Sequence, residues 1–509
     1  MNQELPEGWA SPSVSDSCER VVVGFVGPSA KHYSAEGVPF LTGKNVRPGR
    51  LVLSDFDRVT NTFHSRERKS QLAPGDVVVV RIGRSGEAAV IPDSLGEANC
   101  GGLVIAKKPR AALPTYLAWY LNSPQGQSQL LEEVRGVTRQ TLNTRSIARA
   151  RVPLAPLAEQ RRIVAKVEAL LERVNRARDR FAKVPLILKR FRQAVLAAAC
   201  SGKLTEEWRA WEGAGERGLD LLRVIESERQ TYGQRSRRGV REEESEVILT
   251  PVEWDVPDSW TWTHLASLLT PERPAAYGVL QPGVNKADGV PFVRICDLAN
   301  ATVQIQDLKR IAKTVDNQYP RTRLKGGELL VSLVGTIGRT AIAPPGIAGA
   351  NVARAIAVLP LSRHVSAFYV HCCLQVPSKA DELSGLAREV ARKTLNLGLL
   401  KAVRVPLPPP REQAEIVRAV KALFAVADSI ERRMMVATER VTMLPQAILL
   451  KAFSGELVPT EAELARSEGR EYESASALLA RLLKSAVAGT TNRKTTKNRK
   501  TRAKFAGEN

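Results

Sequence analysis

The sequence predicts an α+β protein: two pseudo-repeated α/β globular domains joined by two long α-helices that form an antiparallel coiled coil. Three observations predict it. Residues Val152–Leu204 and Val405–Leu457 align without a gap at an offset of 253, with Glu159-Gln160 matching Glu412-Gln413 and Ser201-Gly202 matching Ser454-Gly455. Inside each copy the apolar residues step by four and three over more than four heptads, a seam narrower than the apolar face of an ordinary surface helix. The segment preceding each copy carries the same short anchors in the same order, so the whole chain reads as a tandem duplication.

The first domain is expected over residues 1–151. It opens on Leu5-Pro6-Glu7-Gly8-Trp9, a first turn anchored by a tryptophan. Short β-rich runs at 20–26, 38–41, 76–83, 87–91 and 103–106 are separated by Gly, Pro and Asp-Ser turn signals, and helical stretches follow at 114–122 and 124–135. A central helical region, 152–204, carries the seam Ile163, Val167, Leu170, Val174, Ala177, Phe181, Val184, Leu188, Phe191 and Val195. At 1.5 Å per residue that stripe is about 48 Å long. Pro185 lies inside it and predicts a kink or a break, because an interior proline loses a hydrogen bond and clashes with the preceding turn.

Residues 205–255 read as a charged linker with a short helix at 221–228 and a solvated stretch at 234–246. The second domain, 256–404, repeats the plan of the first. Val256-Pro257-Asp258-Ser259-Trp260 opens it, Gly37-Val38-Pro39-Phe40 recurs as Gly289-Val290-Pro291-Phe292, and Ala98-Asn99 recurs as Ala350-Asn351. Arg139-Gln140-Thr141-Leu142-Asn143 likewise recurs as Arg392-Lys393-Thr394-Leu395-Asn396. Between these anchors the halves diverge, as suits one scaffold carrying two dissimilar surfaces. The distal helical region, 405–457, has the seam Ile416, Val420, Leu423, Ala427, Ile430, Met434, Ala437, Val441, Leu444 and Ile448, with Pro445 inside it. An amphipathic piece at 475–486 and a basic tail at 492–504, expected to be disordered, close the chain.

Lys and Arg number 75 against 53 acidic residues, a net charge of +22, and the pI is near 10.0. That excess points to a polyanion, with nucleic acid the first candidate. No apolar run approaches the length needed to cross a bilayer and no signal peptide is read, so a cytoplasmic location is expected. The six cysteines show no C-x-x-C spacing and read as buried, reduced thiols.

Several catalytic signatures are missing. No G-x-x-x-x-G-K-[ST] loop is present, and Gly335-Thr336-Ile337-Gly338-Arg339-Thr340 has the wrong spacing and reads as a tight hairpin between strands. Neither the glycine-rich methyl-donor loop nor the Asn-Pro-Pro-aromatic site of an adenine methyltransferase occurs. Asp307-Leu308-Lys309 mimics the end of a nuclease site but has no counterpart in the first half, and His371-Cys372-Cys373 aligns with ordinary core residues of a helix. No catalytic residue, cofactor-binding residue or metal ligand is assigned.

For a nucleic-acid reader, phosphate grip needs arginine or lysine in open loops, and base readout needs donors that reach base edges. Lys44, Asn45, Arg47, Arg81, Arg84 and Arg139 occupy such loops in the first domain, and Arg294, Thr336, Arg339, Arg392 and Lys393 hold comparable places in the second.

The paired motifs resemble the specificity subunit of a Type I restriction-modification system over nearly the whole chain. They are L-P-E-G-W and V-P-D-S-W at the domain starts, V-P-L-x-P-L-x-E-Q and V-P-L-P-P-P-x-E-Q entering the helices, and S-G-K-L and S-G-E-L leaving them. The resemblance implies a non-catalytic reader of double-stranded DNA, in which each domain grips one half of a bipartite asymmetric site and the helix pair sets the gap. It also implies two methyltransferase subunits bringing S-adenosylmethionine, and restriction-translocase subunits that use ATP and Mg²⁺. A coiled-coil adaptor and an unrecognised DNA-modifying enzyme are the competing readings. A first half cut near Thr205 is expected to self-associate through its own seam.

Overall fold

The computed structural model describes residues 4–132, 141–212, 215–235, 253–299, 301–387 and 393–485. They fall into two units: Met1–Ala182 with Val436–Asn509, and Lys183–Met435. Each unit holds one α/β domain together with a part of both long helices, so the division cuts the helices rather than following the 1–151 and 256–404 domains read from the sequence.

In the first unit the organising strand is Val77–Val80, four buried β-branched residues in succession. Such a run suits a strand covered on both faces. The antiparallel order around it is Cys18–Val23, Leu103–Pro109, Val77–Val80, Ala88–Val90. Side chains alternate across this sheet. Val78 and Val80 enter a core with Leu41, Cys100 and Ile105, whereas Val77 and Val79 enter another with Tyr116, Leu117 and Tyr120 of the helix Pro114–Leu121. A second sheet runs Asp57–Val59, Tyr33–Leu41, Ala98–Cys100, Gln71–Leu72, with its middle pair parallel.

The second unit uses the same alternation. Leu330 packs with Val358 on one side of Leu329–Ser332, while Leu329 and Val331 pack toward Tyr369 and Cys373 on the other. The main sheet runs Ala276–Tyr277, Ile356–Leu359, Leu329–Ser332, Thr340–Ile342, Ala301–Val303, Leu298–Ala299, and a smaller one runs Lys309–Ile311, Val290–Val293, Asn351–Val352. The recurring Ala-Asn pairs sit on equivalent strands. Asn99 and Asn351 are fully buried, and the side-chain oxygen of each accepts from the next residue's N–H at 2.9 Å.

The long helices are Leu157–Cys200 and Pro410–Phe453, 44 residues each, and neither Pro185 nor Pro445 breaks its helix. In the first unit Ile163 and Val167 share a core with Leu449, Ala452 and Phe453, and further along Arg178 donates to the Thr442 carbonyl at 3.2 Å. In the second, Val195 and Ala199 share a core with Ile416 and Val420, and Arg192 meets Asp428 at 2.7 Å and Glu431 at 2.8 Å. Both pairings run antiparallel.

The first seam is inward throughout: Ile163, Val167, Val174, Leu188 and Val195 are buried, and Leu170, Ala177, Phe181, Val184 and Phe191 half-buried. In the second, Ile416, Val420 and Ala427 are buried, and Leu423, Met434, Ala437, Val441 and Ile448 half-buried. Two expected seam residues face outward instead, Ile430 at 40% exposure and Leu444 at 42%. Ile430 stands between Asp428 and Glu431, where the pairing is made by charge on Arg192, and Leu444 is followed by Pro445, which takes the half-buried place.

Helices Gly218–Arg235 and 475–485 cover the stretches expected to be amphipathic. The basic tail and most of the 234–246 stretch lie outside the described residues. All six cysteines are free and five are buried; Cys296 is exposed, because it sits in a single 3-10 turn, Ile295–Asp297, at the surface. His371, Cys372 and Cys373 are core residues of the helix Ala367–Leu374.

Candidate nucleic-acid interface

The Glu-Gln pair that opens each long helix fixes its domain on the helix. Glu159 is buried, accepts from the Trp9 indole at 3.1 Å and from the Glu461 N–H at 2.8 Å. Gln160 accepts from Leu113 N–H at 2.8 Å and donates to the Ala111 and Ala155 carbonyls, which holds the entry to the helix Pro114–Leu121. The second copy repeats this. Glu412 accepts from the Trp260 indole and from Thr205, each at 2.8 Å, and also binds Arg209. Gln413 accepts from Ser366 N–H at 2.9 Å, at the cap of Ala367–Leu374.

Charge completes the two locks differently. Burial pushes the Glu159 carboxyl above its ordinary value, against the pull of its donors and Arg162. Burial also pushes Glu461 upward, but Arg162 at 2.6 Å and Arg470 at 2.7 Å outweigh it and hold that carboxyl low. The glycine after each helix closes the joint in a left-handed backbone, with φ of 76° at Gly202 and 82° at Gly455. A Cβ there would lie 2.5 Å from Pro257 and from Pro6 respectively, in the first turns of the two domains. The motifs were legible in the sequence; that tryptophan meets glutamate and glycine meets proline was not, since the partners are far apart in the chain.

On the first domain, Arg81, Arg84 and Lys44 come together around the turn between Val77–Val80 and Ala88–Val90. Arg81 donates to the Leu142 carbonyl at 3.1 Å, and exposed Arg84 donates to the Gly43 carbonyl at 3.2 Å while pairing with Glu87 at 3.1 Å. Lys44, exposed, lies 3.2 Å from Asp57 and 3.5 Å from Asp55, and the Asp57 hydrogen bond raises its pKa. Arg47 spends one nitrogen on the Lys44 and Val46 carbonyls. Asn45 is corrected from a surface reader to a structural residue: it is fully buried, and its amide donates to the Val52 and Asp55 carbonyls to hold the loop. Arg139 lies outside the described residues.

On the second domain, Thr336, Arg339 and Lys393 gather at the equivalent turn. Thr336 is exposed and its carbonyl accepts from the Ser332 hydroxyl. Arg339 reaches the Leu298 carbonyl at 3.4 Å, and exposed Lys393 approaches Ser384 at 3.5 Å while its own carbonyl accepts from Gly335 N–H. Arg294 lies on the neighbouring turn, held by Asp297. Arg392 lies outside the described residues. Sequence reading missed exposed Lys309 and Arg354 near Arg294, because they fall where the halves diverge and no repeat marks them.

Among the described residues no group of three or more His, Cys, Asp or Glu side chains is placed to hold a metal ion, and no helix is long and apolar enough to cross a membrane. One scaffold used twice, each copy locked by its first turn to the paired long helices and each offering different basic side chains from the same loops, defines a duplicated recognition protein.

Residues 283–435 match the family described as Type I restriction modification DNA specificity domain. The chain is 38% identical over 352 residues to the Type I restriction enzyme EcoBI specificity subunit of Escherichia coli, over 68% of this chain and 64% of that relative, just under two thirds of its length. It is 27% identical over 480 residues to the EcoKI specificity subunit of Escherichia coli strain K12, over 89% and 90% of the two chains. Among solved structures, the HsdS subunit from Thermoanaerobacter tengcongensis shares the fold with a TM-score of 0.56 at 21% identity, over 89% of this chain and 99% of that one. Over most of its length the chain is similar to specificity subunits of Type I restriction enzymes.

Proposed function

We propose that the chain is the DNA sequence-specificity subunit of a Type I restriction-modification complex, without catalytic activity of its own. Each α/β domain reads one half of a bipartite, asymmetric duplex site, and the paired helices set the interval and help dock two methyltransferase subunits. Methyl transfer from S-adenosylmethionine, and ATP- and Mg²⁺-dependent translocation and cleavage, belong to partner subunits, in a cytoplasmic setting. The observation that carries this reading is the divergence of the two domains at one shared turn. Arg81 and Arg84 stand there in the first domain and Thr336 and Arg339 in the second, each pair between matching strands. A net charge of +22 favours a polyanion, and different donors on one frame suit two different half-sites.

The test is methylation of a plasmid library. Incubated with S-adenosylmethionine and Mg²⁺, the purified chain alone is expected to transfer no methyl group; with its methyltransferase partner, it should direct methylation to one bipartite motif. Turnover by the chain alone would favour an enzyme, and assembly of partners without any sequence preference would favour an adaptor.

A further inference from the structure

We propose that Arg294 reads a guanine in the half-site bound by the second domain. This rests on the DNA-reading function above and adds the residue and the base. The starting observation is a difference between two copies of one turn. In the first domain Gly43–Asn45 forms a single 3-10 turn in which the Asn45 side-chain oxygen accepts from Thr42 N–H at 3.0 Å. In the second, Ile295–Asp297 forms the same turn, and Asp297 accepts from Arg294 N–H at 2.8 Å. The turn therefore closes with a threonine at its first position, and the arginine side chain is not what makes it.

That side chain is nonetheless held. Among the described residues both of its hydrogen bonds go to Asp297, from Nε at 3.0 Å and from Nη2 at 2.8 Å. Both lie on one side of the planar guanidinium and leave the opposite edge, Nη1 with the second Nη2 hydrogen, for another partner. Two parallel donors on such an edge match the O6 and N7 acceptors of guanine in the major groove. Asp297, 7% exposed, fixes the fork before any partner arrives, which reduces the ordering cost of binding.

The surroundings suit a base edge at this point. Arg294 lines an open cavity of about 340 Å³ whose floor is Val279, Phe292 and Ile311, all buried, and exposed Lys309 and Arg354 stand on its rim. The rim cations serve for phosphate, which needs charge without a fixed fork.

The experiment measures binding of the full chain, in complex with its methyltransferase partner, to duplexes carrying its site. Each guanine of the second half-site is replaced in turn by 7-deazaguanine, which lacks the N7 acceptor. At one position the wild type should lose about 5- to 150-fold in affinity. R294A should lose a similar amount on natural DNA and be indifferent to 7-deazaguanine at that position, with discrimination in the first half-site intact as proof of folding. D297N, which keeps an acceptor for the turn as Asn45 does, should fall between. The proposal is overturned if R294A weakens every duplex equally with a shallower salt slope, if it changes nothing, or if no guanine of that half-site is sensitive. A wild-type complex with no preference for its site removes the functional reading itself, and this assignment with it.

Discussion

Glu412 takes donors from Trp260, Thr205 and Arg209 while almost wholly buried, so any change leaves charge or donors stranded. E412A is expected to cost about 3–5 kcal/mol, the penalty for breaking a buried pair from one side, readable by urea unfolding. An E412A variant as stable as wild type would show that the lock contributes nothing. His371 gives a residue-scale dependence on pH. It is buried beside the Thr340 hydroxyl at 2.6 Å, and burial lowers its pKa from 6.5 to about 4. In the folded chain it stays neutral where the unfolded chain already takes up a proton. Its contribution is therefore complete above about pH 6.5 and is lost as pH falls toward about 4. H371N should flatten the dependence of Tm on pH across that window; an unchanged slope would assign the acid sensitivity to other groups.

At the scale of elements, the two interior prolines and the two closing glycines make opposite demands. Pro185 is exposed and sits in an unbroken helix, so P185A should stabilise by up to about 3 kcal/mol by restoring the preferred helix interior. A loss of stability instead would mean the helix is shaped around the proline. G202A and G455A should each destabilise by at least about 1–2 kcal/mol, because their backbones are left-handed and a Cβ meets a proline ring. What the sequence revealed at this scale was periodic or repeated. The seam, the valine strand and the recurring Ala-Asn pairs were all readable because each is a pattern along the chain. Ile430 and Leu444 departed from the seam, one beside an ion pair and the other beside a proline, which a heptad count does not weigh. Asn45 looked like a loop reader and is a buried loop strut, since only the folded backbone shows where Val52 and Asp55 aim their carbonyls.

For the whole molecule, duplication means that each half carries a complete set of seam and lock residues. A fragment ending near Thr205 should therefore dimerise, its Gly202 and following residues standing in for Gly455, and sedimentation should show it; a strict monomer at high concentration would contradict the equivalence of the two copies. The central claim is that the two domains read two unlike sequences on one duplex. The most direct measurement is the affinity of the chain with its methyltransferase partner, at fixed salt, for duplexes with the intact site, with either half scrambled, and with both. Specific over nonspecific DNA should be favoured by roughly a thousand-fold or more, and scrambling either half alone should remove part of that preference. Equal affinity for all four duplexes, falling only with salt, would contradict the account.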